Sequence, residues 1–358
     1  MSSPSTPHPK FLITLIGPNS GAGAGVPGAA VRDAVTGRVI DRVPGRMDVY
    51  SAVTGTGGNR LFFLAARSGR QQTAQREPEI GQIPPGGAFA VRISDDGTVA
   101  DLSAVPGVPE PARTSHGPGY LAATADGSTL AYPVVPPRNW RPPPPVWPVR
   151  DYHKEEPGGA QAADFPPAAV SIVTVAAGER TVWRPGPGGF IGNLSLSADG
   201  RRMAFAWHGR PEDTGIRVVD LPDAEPGGVI TTPSRLVVPD RNTLDNLGQA
   251  GMGCLGGAVI SADGSTLYVT AARYEAAGQP VTRLAEVSVA DGELLRIAYE
   301  RPFRDPGNII YGWGPLAIDP SGQHALIAYT GNLARIDLST GHLTGLPIQE
   351  NGAFDIAW

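Results

Sequence analysis

Histidine and carboxylate side chains are the groups of this sequence that could do acid–base chemistry. Its six histidines stand at positions 8, 116, 153, 208, 324 and 342 and show neither the HExxH spacing nor a CxxC partner of a zinc site. If the chain is an enzyme, we expect the catalytic groups to be His208, Asp213 and His116, because His208 has carboxylates close by in sequence. The alternative is that these are solvated side chains of loops.

Aromatic residues beside glycines are the candidates for binding a ligand. Each stands where an apolar, strand-like segment begins, and the four concerned are Tyr120, Phe190, Trp313 and Phe354. Such side chains could ring an apolar cavity that holds a small molecule. They could equally pack where glycines let strands crowd together.

A proline-rich segment, residues 133–167, is the longest stretch without a strand pattern. It contains four consecutive prolines flanked by Trp140 and Trp147, which predicts a stiff polyproline segment with aromatic anchors. We expect these tryptophans either to dock a ligand or partner or to pack onto the body of the protein.

Motifs for covalent or phosphate chemistry are missing from the sequence. It has no GxSxG nucleophile elbow and no GxxxxGK[ST] phosphate loop. The glycine-rich stretch 17–28 lacks the lysine of such a loop and is predicted to connect two strands. Cys254 is the one cysteine, so no intramolecular disulfide can form, and we expect it to be a small buried side chain.

A repeated two-strand unit must position these candidates. Each copy reads as an apolar strand, a turn built on glycine and usually aspartate, and a second apolar strand. The copies run over 121–132, 194–207, 258–270 and 316–329, with a degenerate one over 51–65, and their turn glycines are 58–73 residues apart. A second pair of strand patterns follows each copy. Four antiparallel strands per repeat, arranged radially, predict the blade of a β-propeller.

The two ends of the chain predict how the ring closes. Residues 11–43 read as the second to fourth strands of a blade that has no first strand, and a suitable strand pattern is found at 353–358. We therefore predict an all-β, six-bladed β-propeller in which the C-terminal strand pairs into the N-terminal blade. Residues 1–358 would form this single domain, with a disordered tail over 1–9.

The turn sequences resemble those of TolB/YncE-like propellers, and more closely those of an uncharacterised actinobacterial family described as WD40-like. The resemblance rests on the SADG turns at 197–200 and 261–264 and on the phrases AVRDAVTGRV (30–39) and ARIDLSTGHL (334–343). It covers nearly the whole chain and implies a fold, but turn chemistry implies little about function. Because there is no Trp-Asp dipeptide and the period exceeds the ~40–45 residues of a true WD40 blade, we do not place the chain among WD40 proteins.

Calcium-dependent propeller lactonases hold their metal with acidic and asparagine side chains at the starts of inner strands, and similarity to them implies candidates here. Asn193, Asn308 and Asp355 stand near such starts, and their oxygen atoms suit calcium. Asn193 follows a glycine, however, whereas the lactonase-like phrase places the asparagine before it. We expect no metal and no other cofactor, with these three residues as the candidates should a metal bind.

Composition narrows the possible partners. A net charge of −5 and an isoelectric point near 5.7 argue against nucleic acid, which is bound by clustered basic residues. No apolar run approaches the ~18–20 residues of a membrane-spanning helix, and residues 11–17 fit a strand better than a signal peptide. A lone cysteine suits a reducing compartment. We expect a cytoplasmic monomer that neither inserts into membranes nor binds nucleic acid.

The long irregular segments fall on one face of the predicted propeller, and the Asp-Gly turns fall on the other. Because binding residues favour loops on a rigid scaffold, we expect the face with the long segments to be the functional one. The sequence therefore predicts a non-enzymatic module that binds an unknown protein or small-molecule ligand at the channel mouth. The alternative is a lactonase-like hydrolase or lyase with its site in the central channel.

Overall fold

A computed structural model gives the fold. It describes residues 9–16, 28–44, 50–58, 60–66, 87–108, 121–134, 168–185, 189–208, 213–223, 225–239, 254–274, 280–302, 316–329, 332–346 and 353–358. Within these ranges, no helix has the length and hydropathy that are needed to span a membrane.

The regular elements of the described residues are β-strands. The first seven are β1 (Phe11–Ile16), β2 (Gly28–Asp33), β3 (Val39–Arg42), β4 (Tyr50–Gly55), β5 (Leu61–Ala66), β6 (Gly87–Ile93) and β7 (Val99–Ala104). The next nine are β8 (Ala122–Ala123), β9 (Thr129–Pro133), β10 (Val170–Thr174), β11 (Glu179–Trp183), β12 (Phe190–Leu196), β13 (Arg202–His208), β14 (Gly215–Asp220), β15 (Val229–Ile230) and β16 (Arg235–Pro239). The last nine are β17 (Cys254–Ile260), β18 (Thr266–Tyr274), β19 (Pro280–Ser288), β20 (Leu294–Pro302), β21 (Leu316–Ile318), β22 (His324–Tyr329), β23 (Asn332–Asp337), β24 (Leu343–Leu346) and β25 (Ala353–Ala357).

These strands form six sheets, antiparallel except for the short β15, which are the blades of a β-propeller. From the inner to the outer strand, blade 1 is β25-β1-β2-β3, blade 2 is β4 to β7, and blade 3 is β8 to β11. Blade 4 is β12-β13-β14-β16, blade 5 is β17 to β20, and blade 6 is β21 to β24. The predicted all-β, six-bladed architecture is confirmed.

The C-terminal strand closes the ring, as predicted. In blade 1, β25 pairs antiparallel with β1, so that Thr14 lies opposite Ile356. The following residue, Trp358, is buried, and its indole N–H donates to the Ala317 carbonyl of blade 6 at 3.3 Å. On the other side its backbone lies against Gly55 of blade 2, where a Cβ atom would stand 1.9 Å from the Trp358 carbonyl oxygen. One residue thus contacts the blades on both sides of the closure.

Blade 3 has an additional short strand that was not predicted. β15 lies in the connection between β14 and β16 and pairs in parallel with β11, so that Trp183 is opposite Ile230. The indole N–H of Trp183 also donates to the Thr232 carbonyl at 2.9 Å. The connection from blade 4 therefore covers the outer edge of blade 3.

The core consists of six apolar layers, one between each pair of neighbouring blades. Successive side chains of a strand point to opposite faces, so each second strand feeds two layers. Leu12 packs between blades 6 and 1, and Ile13 packs between blades 1 and 2. In the same way, Phe62 packs between blades 1 and 2, and Phe63 packs between blades 2 and 3. Burial on both faces explains why these strands read as nearly continuous apolar runs.

The Asp-Gly turns show why the repeat is so regular. In the β12–β13 turn, the Ser197 hydroxyl donates to Asp199 at 2.7 Å and accepts from the N–H of Arg202 at 2.9 Å. Gly200 has a φ of 71°, and a Cβ there would also stand 2.8 Å from Thr124 of blade 3. The glycine therefore serves both the turn and the approach of the neighbouring blade.

Candidate functional site

A central cavity of about 470 Å³ lies inside the ring of blades. Residues of all six inner strands and of their turns line it, and they are mostly small and apolar, with hydroxyl groups such as those of Thr54 and Ser195. Among the described lining residues no side chain is basic. Two of the predicted site residues, Asn193 and Asp355, lie in this lining.

Asp355 joins blade 1 to blade 2 at the cavity wall. Its side chain is buried, and its Oδ2 atom accepts a hydrogen bond from the backbone N–H of Val53 on β4 at 2.8 Å. Its Oδ1 atom accepts from the N–H of Ile356 at 3.0 Å. The inner strand is the edge of its sheet, so the outward N–H of Val53 has no partner strand. The carboxylate provides the acceptor that this N–H needs.

Asn193 and Ser195 make the corresponding connection between blades 4 and 5. The Asn193 Oδ1 atom accepts from the N–H of Ala258 at 3.2 Å, and the Ser195 hydroxyl oxygen accepts from the N–H of Ile260 at 3.0 Å. Blades 1 and 4 are opposite one another in a ring of six. The cavity wall is therefore fixed by side-chain acceptors on two opposite sides, and these acceptors are already engaged.

A chain of backbone hydrogen bonds runs around the cavity at the end where the Asp-Gly turns lie. The second residues of four consecutive turns take part: Gly57 donates to Ala125 at 2.8 Å, Ala125 to Ala198 at 3.2 Å, and Ala198 to Ala262 at 2.8 Å. These four residues are named the turn ring. A Cβ at Gly57 would be 3.1 Å from the Ala125 Cβ, so the turns are in close contact. Small residues in the turn ring let the blades meet near the axis.

The carboxylates of these turns are structural groups. The hydrogen bond from the Ser197 hydroxyl lowers the pKa of Asp199, and that from the Ser261 hydroxyl lowers the pKa of Asp263. Both carboxylates also accept backbone N–H groups of their own turns, from Arg201 and Ser265 at 3.0 Å. A carboxylate held ionised in this way is a poor general acid or base at neutral pH.

In the corresponding turn of blade 6, the hydroxyl residue and the aspartate have changed places. Asp319 stands where blades 2 to 5 have serine or threonine, and the Ser321 hydroxyl donates to its Oδ2 atom at 2.7 Å. Asp319 is 3% exposed and also accepts the N–H groups of Gln323 and His324 at 2.8 and 3.1 Å. The His324 Nδ1 atom lies 3.2 Å from Asp319 Oδ2. The same hydrogen bond is thus kept with donor and acceptor positions reversed, on the turn face.

Two of the predicted catalytic residues, Asp213 and His208, fall at the face opposite the turns. Asp213 lies in the β13–β14 connection, where its side chain is exposed and 3.8 Å from Arg217. His208 ends β13 directly opposite Phe190 of β12, although the side chains of both lie outside the described part of the structure. His116 also lies outside it, so the catalytic assignment stays a prediction.

The remaining predicted site residues are only partly covered. Phe354 belongs to β25, without a described side chain. The others, Tyr120, Trp140, Trp147, Asn308 and Trp313, lie outside the described residues, as does most of the proline-rich segment. Within the described ranges, no group of three histidine, cysteine, aspartate or glutamate side chains could hold a metal ion. The ligand-binding and metal assignments also remain predictions.

Several cavity residues were not recognised from the sequence. Ser195 and Thr54 each stand two residues before the serine or threonine that begins the turn, at Ser197 and Thr56. That offset would have identified them, because the strands are in register with their turns. Ser195 in particular reads as an ordinary alternating polar residue until its acceptor role toward the next blade is known.

No protein-family model and no curated protein matches this chain. Its fold is similar to that of oligogalacturonate lyase from Vibrio parahaemolyticus, with 12% identity, coverage of 89% of this chain and 70% of that one, and a TM-score of 0.48. It is also similar to a putative 6-phosphogluconolactonase from Bacteroides fragilis, with 14% identity, 99% coverage of both chains and a TM-score of 0.45. A third similar structure is a protein of unknown function from Desulfotomaculum acetoxidans. It has 13% identity and a TM-score of 0.45, and the match covers 97% of this chain and 99% of that one. These similarities concern the fold, and nothing about activity follows from them.

Proposed function

We propose that this chain is a non-enzymatic binding module of the TolB/YncE-like kind, which takes a small ligand in its central cavity. The single observation that carries the proposal is the cavity itself. At about 470 Å³ it falls in the size range of small-molecule sites, roughly 300–1,000 Å³. Hydrogen bonds between blades fix its wall before any ligand arrives, and a preformed site binds at a lower entropic cost.

The lining indicates the chemistry of the ligand. Hydroxyl groups and backbone edges offer both donors and acceptors, whereas the Asp355 carboxylate already accepts two N–H groups. With no basic side chain among the described lining residues, an anionic ligand would meet no countercharge. A neutral molecule rich in hydrogen-bonding groups fits this lining.

The ligand would enter from the face opposite the turn ring. Phe190 and Phe354 stand on inner strands at that end, and Tyr120, Trp313, Trp140 and Trp147 would complete an aromatic mouth around it. A protein partner that docks on the proline-rich segment 133–167 would use the same face. We assign this binding to a monomer in the cytoplasm.

The enzyme alternative, a lactonase-like hydrolase or lyase, requires a free base or a metal in the channel. Asp213 is the predicted catalytic residue that the structure describes with its side chain, and it is exposed and ion-paired. The described carboxylates of the cavity wall and turns are held by hydrogen bonds. We therefore favour binding without turnover.

Cavity-blocking variants test the proposal. Thr54 and Val259 line the cavity from opposite sides of the ring, so Thr54→Phe and Val259→Phe should fill it. The matched control is Thr344→Phe on the exposed outer strand β24. We expect neutral polyols and sugars from a metabolite library to raise the melting temperature of the wild type and the control but not of the blocked variants. The proposal would be contradicted if a compound still raised the melting temperature of both blocked variants, or if the protein converted a bound compound chemically.

A further inference from the structure

Three polar atoms of blade 3 are buried without a well-formed hydrogen bond to a described residue, although the Tyr132 and Ser171 hydroxyl groups are close enough to interact with each other: Tyr132 Oη, Ser171 Oγ and Arg180 Nε. Ser171 is 0% exposed and Tyr132 is 2% exposed. A buried polar group without a partner costs about 1–3 kcal/mol, and native proteins contain few of them. Three at one place call for a missing partner.

Strand register places the three side chains on the same face of the blade. Tyr132 of β9 lies directly opposite Ser171 of β10, and Arg180 of β11 lies opposite Val173, two residues further along β10. Residues two apart in a strand share a face. Val173 and Tyr132 both belong to the apolar layer between blades 2 and 3. The three polar groups therefore point into that layer.

The electrostatics agree with this arrangement. Burial raises the pKa of Tyr132, while the neighbouring Ser171 hydroxyl and the positive charge of Arg180 act in the opposite direction. Arg180 forms no ion pair with the described carboxylates, although its backbone carbonyl accepts from Gly227 at 2.8 Å. That bond belongs to the connection that covers the outer edge of blade 3. The Arg180 side chain is half-buried, and its Nε–H is buried without an acceptor among the described residues.

We propose that Tyr132, Ser171 and Arg180 form a site between blades 2 and 3 for a small inorganic anion of halide size. The guanidinium Nε–H can only donate, and both hydroxyl groups can donate to the same acceptor. An anion can accept hydrogen bonds from all three donors, and its negative charge compensates the positive charge of Arg180. A water molecule accepts only two hydrogen bonds and leaves that charge uncompensated. The site is separate from the central cavity and makes the stability of the propeller dependent on the anion.

Two measurements on the full chain test this site, with bromide as the probe. The first is the anomalous signal of crystals grown in sodium bromide, which should show a peak within hydrogen-bonding distance of Arg180 Nε, Ser171 Oγ and Tyr132 Oη. The second is unfolding by urea when bromide replaces gluconate at constant ionic strength. Above the dissociation constant, each tenfold rise in bromide should lower the unfolding equilibrium constant about tenfold.

Variants separate specific binding from general salt effects. Arg180→Gln, and the double variant Tyr132→Phe with Ser171→Ala, should lose this bromide dependence. Arg184→Gln removes an exposed arginine that follows the same strand and should keep it. The hydroxyl-free variant preserves shape, so it should fold even if Arg180→Gln does not. A water molecule at the position, equal bromide dependence in all variants, or an anomalous peak without an effect on unfolding (an adventitious ion only) would overturn the proposal.

Discussion

The Asp355 carboxylate of the C-terminal strand accepts the backbone N–H of Val53 at 2.8 Å, across 302 positions of sequence. This hydrogen bond connects the blade that closes the ring with the next blade along the chain. Asn193 makes the same kind of bond to Ala258 on the opposite side of the channel. Two of the three residues that the sequence offered as metal ligands, Asp355 and Asn193, therefore have a role in joining blades.

Removal of the Asp355 acceptor should destabilise the protein. Asp355→Ala leaves the buried N–H groups of Val53 and Ile356 without this acceptor, so we expect the free energy of unfolding to fall by about 2–4 kcal/mol. Asp355→Asn keeps one acceptor oxygen and should lower the free energy of unfolding by less. Urea unfolding measures both, with the exposed Asp223→Ala as a control expected to change stability by less than about 0.5 kcal/mol. An unchanged midpoint in Asp355→Ala would show that the bond contributes nothing to closure.

Gly55 should not tolerate a side chain. An alanine Cβ there would lie 1.9 Å from the Trp358 carbonyl oxygen, so β25 would have to shift away from blade 2. We expect Gly55→Ala to cost about 3 kcal/mol or more. Gly345→Ala is the control, because nothing lies within 4 Å of a Cβ at that position. Equal thermal unfolding of the two variants would mean that Trp358 does not hold the ring closed.

Acid should destabilise the propeller through its turns. Hydrogen bonds from Ser94 and Ser339 lower the pKa values of Asp96 and Asp337 to about 2 in the folded state, against about 3.9 in the unfolded chain. A folded pKa below the unfolded value gives stability that is present above pH 4 and is lost as the pH falls toward 2. Unfolding free energies measured between pH 5 and pH 2 should fall accordingly. Asp96→Asn combined with Asp337→Asn should reduce the slope, and a slope identical to that of the wild type would refute the assignment.

Alkaline pH should destabilise the protein by ionising Tyr50. Burial raises its pKa to about 12, and its hydroxyl donates to the Pro44 carbonyl at 2.6 Å. Because the folded pKa exceeds the unfolded value of about 10, the stabilisation is complete below pH 10 and is lost as the pH rises through 12. Ultraviolet titration at the tyrosinate band should show one tyrosine fewer near pH 12 in Tyr50→Phe. A difference at pH 10 instead would show that the hydroxyl is solvated.

The blades and their closure could be predicted because local chemistry determines them. The Ser-x-Asp-Gly turn is encoded by adjacent residues, and alternation along β1 or β5 reports burial on both faces. The acceptor roles of Asp355 and Ser195 could not be predicted, since they depend on how two blades align across the channel. The pairing of β15 could not be predicted either, because its two residues pair with residues 47 positions earlier in the sequence. Such contacts are decided by packing between blades, which leaves no periodic signal in the sequence.

The central claim is that the cavity inside the ring binds a small neutral molecule. Its most direct test is isothermal titration of the strongest compound from the thermal-shift screen into the wild type, Thr54→Phe and Thr344→Phe. One molecule should bind per chain in the wild type and in Thr344→Phe, and the affinity should be at least about tenfold weaker in Thr54→Phe, which corresponds to about 1.4 kcal/mol. Equal affinity for all three proteins would contradict the central claim, because the ligand would then bind outside the cavity.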